Sequence, residues 1–122
     1  MLVKVDARLV MQVIINLVDN AIKYTPKGSE IVIETRQEGS QAVVTVSDNG
    51  GGISDGAKTH IFDMFYTENK KTADSRRSLG LGLALCKSIV TAHGGTIAVS
   101  DNTPHGAVFT FTLPMEEVTL HE

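Results

Sequence analysis

Four short stretches carry residue types whose spacing could do chemistry together. The first is residues 12–24, QVIINLVDNAIKY. At about 100° per residue, Gln12, Asn16, Asn20 and Lys23 fall in one narrow stripe of a helix. Amides can ligate a hard cation through oxygen and donate hydrogen bonds through nitrogen. A lysine adds a positive point charge suited to phosphate. Val10, Val13, Leu17, Val18 and Ala21 form a broad apolar stripe beside it. A polar rim on an ordinary core helix explains the same residues equally well.

The second stretch is Asp48-x-Gly50-x-Gly52 followed by Ile53. Strand parity places Asp48 on the face of Ala42, Val44 and Val46, so a carboxylate arrives on the side of the core. A buried carboxylate must have donors, or it is protonated or costly. A nucleobase amine would supply one, and glycines would permit the close backbone approach this needs. A tight turn with a helix-capping aspartate is the competing reading. The third stretch, Gly80-x-Gly82, opens a helix, where backbone N–H groups and the helix dipole favour an anion. Each glycine there costs roughly 1 kcal/mol relative to alanine, and close packing against a strand is the alternative reason for it. The dinucleotide pattern GxGxxG is absent, as is the P-loop pattern GxxxxGK followed by Ser or Thr. The fourth stretch, residues 67–78, contains Lys70, Lys71, Arg76 and Arg77 and no large apolar residue. It cannot bury itself and is expected to be mobile. The two arginines abut the glycine turn and suit bidentate phosphate contact, whereas Lys70 and Lys71 read as a solvated face.

Other chemistry is not evident. His60, His93, His105 and His121 show no metal-ligand spacing. His93 stands before Gly94-Gly95 and reads as a structural histidine at a helix end. Cys86 lies on an apolar stripe and reads as core.

The elements that must position these residues follow from pattern. Residues 2–5 form a short apolar run, expected to be a strand. Asp6 can cap the first helix, with Val5 and Val10 as a hydrophobic staple, and the helix should end near Tyr24. Residues 30–36 and 41–48 alternate as a hairpin around a turn at residues 37–40, with Ile31 and Ile33 on one face. Ser54 or Asp55 can cap a short helix reaching Phe62 and continuing to Tyr66. A helix then opens within residues 79–83 and runs to the Gly94-Gly95 stop. Residues 96–101 and 107–113 form a second hairpin, closed by Pro114. The expected class is α/β, an α+β two-layer sandwich. Its sheet of about five strands, mixed but mostly antiparallel, carries about three helices on one face.

At 122 residues this is one domain, residues 1–114, with an acidic tail at 115–122. A net charge of −3 gives no reason to expect nucleic acid or an acidic membrane surface as partner. The single cysteine excludes an internal disulfide and fits a reducing cytosol. No apolar run approaches the ~20 residues needed to span a bilayer, and no secretory leader is seen. The first helix begins almost at once, which suggests a fragment of something longer.

The order of motifs adds a resemblance. Asn16-x-x-x-Asn20-Ala21-x-Lys23-Tyr24, Asp48-x-Gly50-x-Gly52-Ile53, Phe62-x-x-Phe65-Tyr66 and Gly80-Leu81-Gly82-Leu83 resemble, in order, the N, G1, F and G2 boxes of sensor histidine kinases. His93-Gly94-Gly95 and Gly106…Phe109…Leu113-Pro114 extend the similarity over nearly the whole chain. The resemblance implies the ATP-binding catalytic domain, a Bergerat-type sandwich shared with gyrase, Hsp90 and MutL. It implies that Asp48 accepts the adenine amine, with Gly50, Gly52 and Ile53 around the base. Asn16 would hold Mg²⁺, and Asn20, Lys23 and Tyr24 would contact the nucleotide. Residues 67–78 would be the ATP lid, with Arg76, Arg77 and Lys23 serving the transferred phosphate. The turn at Gly80, Leu81, Gly82 and Leu83 would meet the phosphates. Phe62 and Phe65 would anchor the lid, although core packing also explains both.

Three positions bear on the reaction. Many family members carry a basic residue where this chain has Thr67, which shifts weight to Arg76 and Arg77. The terminal glycine motif often reads Gly-Thr, and here it is Gly106-Ala107. ATP-hydrolysing relatives place a glutamate four residues before the magnesium asparagine. That place is Gln12 here, and an amide cannot act as a general base at neutral pH. The resemblance therefore implies a kinase half that donates the γ-phosphate to a histidine. No histidine of this chain sits in a phosphoacceptor context, so a dimerisation domain elsewhere in a cytosolic part of a membrane sensor would supply it. A response regulator would act downstream. A serine kinase of the anti-sigma-factor type and a non-catalytic nucleotide-dependent module are the alternatives.

Overall fold

The protein is described from a computed structural model covering residues 3–63 and 82–115, apart from the Tyr24 side chain. Helix α1 (Ala7–Tyr24) starts where Asp6, in extended conformation, accepts from the backbone N–H groups of Arg8 and Leu9. This satisfies two of the donors a helix start leaves unpaired. Val5 and Val10, the expected staple pair, both pack against the core. The helix ends at Thr25, which is extended and donates its hydroxyl to the Ala21 carbonyl. The inner face of α1 buries Val13, Leu17 and Ala21. Its outer face leaves Met11, Ile15 and Ile22 exposed.

Strands β1 (Ile31–Glu38), β2 (Gln41–Asp48), β3 (Ile97–Asp101) and β4 (Ala107–Pro114) form one sheet in the order β1-β2-β4-β3. Every pairing among them is antiparallel. The sheet thus has four strands among the described residues, one fewer than the sequence suggests. The expected strand at residues 2–5 is not formed at Val3, Lys4 or Val5, which are irregular. The next N–H, that of Asp6, goes to the His93 ring instead of a sheet neighbour. The first hairpin is tighter than expected, because Gln37 and Glu38 extend the ladder to pair with Ala42 and Gln41. Only Gly39 and Ser40 remain in the turn. Ile33, expected to share a face with Ile31, is half exposed because β1 is an edge strand.

Between the hairpins lie α2 (Asp55–Lys58) and α3 (Gly82–Ala92). Ser54 caps α2 by accepting the Ala57 N–H. The helix stops at Lys58 rather than Phe62, and turns follow. The N–H groups of His60 and Asp63 reach back three residues, to Ala57 and His60, instead of four. Residues 64–66, read as its continuation, lie outside the described residues.

One apolar layer fills the space between the sheet and helices α1 and α3. It is built from Val13 and Leu17 of α1, Cys86, Ile89 and Val90 of α3, Val46 of β2, and Phe109, Phe111 and Leu113 of β4. Full burial of each large side chain contributes about 1.5–3 kcal/mol. The alternation of β4 thus supplies the largest residues of the core. Helix α3 ends at Gly94-Gly95, where the Gly95 N–H bonds the Val90 carbonyl. The His93 ring donates from Nδ1 to the Ile89 carbonyl and accepts the Asp6 N–H at Nε2. It is the structural helix-end histidine expected from sequence.

Cys86 is fully buried, and its Sγ lies 3.7 Å from the Val13 carbonyl. Burial pushes its thiol up from 9.0 to about 11, opposed in part by Asn16. The unfolded chain therefore releases this proton first as pH rises. The stabilisation is whole below about pH 9 and is lost as pH climbs through the folded value near 11. Between those limits, wild type should lose about 2–3 kcal/mol more urea stability than Cys86→Ala. Parallel pH profiles for the two would contradict this burial.

Candidate functional site

Asp48 is the last residue of β2 and is only 7% exposed. Parity points it toward the helix layer, as expected. Its Oδ1 accepts two backbone donors, the Gly50 N–H at 2.9 Å and the Ala107 N–H at 3.3 Å. Such bonds offset part of the cost of burying a carboxylate. The loop that follows has almost no side chains and is pressed between two neighbours. A Cβ on Gly50 would lie 2.7 Å from Thr25 Cγ2 at the end of α1. Across the site, Gly106 has φ +115, and a Cβ there would lie 1.9 Å from the Asp48 carbonyl oxygen. Gly106 is thus both conformationally special and in contact. Gly52 approaches the same glycine, with a Cβ position 3.1 Å from the Gly106 oxygen. Ile53 packs against the core.

The connection between β3 and β4 also reaches this loop through side chains. Asn102 Nδ2 donates to the Asp48 carbonyl at 2.7 Å, and His105 Nδ1 donates to the Gly50 carbonyl at 2.9 Å. Asn49 pairs with Glu30 on the other side, accepting its N–H at 2.7 Å. Lys58 of α2 bridges Asp55 at 2.9 Å and Asp101 at 2.7 Å. Hydrogen bonds to Asp101 first and Asp55 second raise its ammonium above the usual lysine value, and Lys58 lowers Asp55 in return. Sequence reading missed Asn102, His105 and Lys58. It treated residues 102–106 only as a hairpin connection, and no spacing marks contacts made 54 and 55 positions apart by Asn102 and His105, or 43 positions apart by Lys58 with Asp101.

The polar stripe of α1 leads to a second junction. Asn16, Asn20 and Lys23 are all half-buried, while Gln12 is exposed. The Gln12 amide donates to Asn16 Oδ1 at 2.9 Å, and Asn16 Nδ2 lies 3.5 Å from the Gly82 carbonyl. Asn16 therefore joins the first helix to the first residue of α3. A Cβ on Gly82 would meet nothing within 4 Å among the described residues, so close packing against those residues does not explain that glycine. Leu83, one residue on, packs against the core. Phe62 meets Phe109 edge-on, with ring centroids 6.1 Å apart, so packing accounts for it. Gly80, Leu81, Arg76, Arg77 and the lid expected at 67–78, like Phe65, lie outside the described residues, as does the Tyr24 side chain.

Helix α1 therefore carries two junctions, Asn16 with Gly82 and Thr25 with Gly50. At 1.5 Å per residue they are about 13 Å apart along its axis. A buried carboxylate lies at one end and an oriented amide beside a helix start at the other.

The model of the histidine kinase-, DNA gyrase B- and HSP90-like ATPases matches residues 5–117. The chain belongs to that family. Among histidine kinase-like ATPases, it is 49% identical over 115 residues to the sensor protein KdpD of Clostridium acetobutylicum. It is 43% identical over 115 residues to KdpD of Escherichia coli. Each alignment covers 94% of this chain and 13% of the relative, so the chain spans a small part of those proteins. The nucleotide-free catalytic domain of histidine kinase ThkA superposes with a TM-score of 0.79 at 34% identity, covering 93% of this chain and 70% of that one. ThkA in complex with response regulator TrrA also matches, with a TM-score of 0.76 at 32% identity over 93% of this chain and 30% of that one. This domain is therefore of the histidine kinase catalytic type, with the antiparallel sheet and helix layer of those structures.

The contact between Gly106 and Asp48 gives a direct test of the site's frame. Gly106→Ala should cost on the order of 3 kcal/mol in urea unfolding, since strain and a backbone clash coincide there. Gly28 has φ +88 but open space around it, so Gly28→Ala should cost only about 1 kcal/mol. Equal costs at the two glycines would contradict the close approach at Asp48.

Proposed function

We propose that the domain binds Mg-ATP between α1, the Asp48 loop and the start of α3, and donates the γ-phosphate to a histidine outside this chain. The observation that carries the reading is the placement of Asp48. Both of its backbone hydrogen bonds fall on Oδ1, which leaves Oδ2 to accept the exocyclic amine of adenine. Gly50, Gly52 and Ile53 form the floor and margin of that base pocket. Asn20, Lys23 and Tyr24 are assigned to the nucleotide along α1, and Gly80, Leu81, Gly82 and Leu83 to its phosphates. Arg76 and Arg77, together with Lys23, are assigned to the transferred phosphate, because phosphoryl transfer depends mainly on positioning and neutralised charge.

The residues fit magnesium. Among the described residues no cluster of three or more His, Cys, Asp or Glu could hold a metal. Magnesium in nucleotide sites needs few protein ligands, since substrate phosphates supply others. Asn16 suits that role, because its Nδ2 faces the Gly82 carbonyl and its oxygen faces away from it, oriented by Gln12. When bound, the ion would neutralise phosphate charge and orient the transferred group. Gln12 supports transfer over hydrolysis, since its amide holds Asn16 and takes up no proton from water.

The parent is proposed to be a membrane sensor whose cytosolic part includes this domain. No helix of the described residues is long and apolar enough to cross a membrane. The fully buried Cys86 fits a reducing compartment. The proposed partners are a dimerisation domain bearing the acceptor histidine and a response regulator, the latter supported by the ThkA–TrrA complex.

Mixing the domain with labelled ATP and a histidine-bearing dimerisation domain should transfer label in an acid-labile form, and Asn16→Ala should abolish the transfer while the domain stays folded. Acid-stable label on serine would favour a serine kinase instead. In binding, Asp48→Asn should lose at least about tenfold of its preference for ATP over GTP, because an amide can donate where the carboxylate only accepts. Full selectivity in that variant would remove Asp48 from the base pocket.

A further inference from the structure

We propose that Asn102 and His105 are positioning residues for the base pocket, and that they set its selectivity for adenine by clamping the Asp48–Gly50 backbone. This inference rests on the adenine reading of Asp48 and extends it to residues that touch no nucleotide.

Three consecutive glycines, Gly50 to Gly52, follow Asp48 and Asn49. A backbone with so little steric restriction does not hold one conformation by itself. Its shape must come from outside, and the β3–β4 connection supplies the contacts in order. Asp101 accepts from Lys58 of α2 at 2.7 Å, which anchors the start of the connection. Asn102 Oδ1 accepts the Thr103 N–H at 2.9 Å, which fixes the orientation of its amide. Nδ2 is then directed to the Asp48 carbonyl at 2.7 Å. His105 bonds the Gly50 carbonyl at 2.9 Å. A carbonyl only accepts, so His105 Nδ1 must bear the proton. The next two residues complete the grip, with Gly106 packed on the Asp48 carbonyl and the Ala107 N–H on its Oδ1.

The two side chains thus hold the carbonyl of the residue that reads the base and the carbonyl two residues after it. A shift of this loop would move Asp48 relative to Gly52, changing both the acceptor position and the room left for the base. Selectivity depends on such placement, because a misplaced acceptor no longer distinguishes an amine from a carbonyl. His105 is exposed, so removing its ring leaves no cavity in the core.

The test uses the 122-residue chain, with ATP and GTP affinities and the nucleotide-free unfolding midpoint measured for each variant. His105→Leu removes the donor, whereas His105→Asn keeps an N–H near the Nδ1 position. Asn102→Asp keeps the shape but replaces the donor with an acceptor. His105→Leu should weaken ATP on the order of fivefold, the effect of one lost hydrogen bond, with GTP affinity and the midpoint nearly unchanged. His105→Asn should restore ATP binding to within about twofold, and Asn102→Asp should narrow the ATP–GTP ratio at least as much as His105→Leu. The inference is overturned if His105→Leu matches wild type. It is equally overturned if ATP and GTP weaken together in step with the midpoint, which is the mark of a structural role alone. Asp48→Asn, run alongside, separates the levels. If it loses selectivity while the clamp variants do not, the clamp is wrong and the adenine pocket stands. If Asp48→Asn itself keeps full selectivity, the adenine reading fails and the inference with it.

Discussion

A carboxylate sunk at the end of a central strand constrains everything built around it. Asp48 belongs to β2, which is paired on both sides, so its position follows from the sheet register. Burial of a charge is tolerable only with donors in reach. Here they come from the backbone, Gly50 from its own loop and Ala107 from the neighbouring strand. That requirement forces the β2 exit to fold back on itself and brings the start of β4 close. At Gly50 and Gly106 the chain comes too close to its neighbours around Asp48 to leave room for a Cβ.

The first helix serves two layers at once. Its buried face completes the apolar core with Phe109 and Phe111, and its margin carries the amides and the lysine of the candidate site. Packing thus fixes the rotation of α1, and that rotation presents Asn16 to the start of α3. The bond to Gly82 couples the site to the helix pairing that stabilises the core. Site residues and core residues thus occupy adjacent faces of one helix.

Local signals are legible in the sequence where local physics decides the outcome. The Asp6 cap, the end of α1, the Gly94-Gly95 stop, the alternation of β4 and the inward parity of Asp48 all follow from neighbours within a few positions. Cys86 and His93 take the structural roles their contexts suggest. The misreadings arise where distant partners compete. Residues 3–5 look like a strand, but the sheet offers them no pairing, and the following N–H is claimed by a ring at the end of α3. The second helix is shorter than its pattern suggests because three-residue turns replace its continuation after Lys58. Asn102 and His105 are invisible as site residues in the sequence because their partners lie 54 and 55 positions away. The family resemblance names candidate residues along the chain, but only the fold shows what holds the loop that carries Asp48.

The His93 ring has a mechanical meaning. One nitrogen grips the last turn of α3 and the other grips the N–H of the residue that caps α1. An Nε2 that accepts carries no proton, so the ring acts as a neutral rivet between two helices. A pull or twist applied to the backbone at Asp6 is therefore shared between α1 and α3 instead of unwinding the first turn of α1. Those are the helices that bear Asn16 and Gly82, so load at Asp6 is borne by both walls of the proposed phosphate end together.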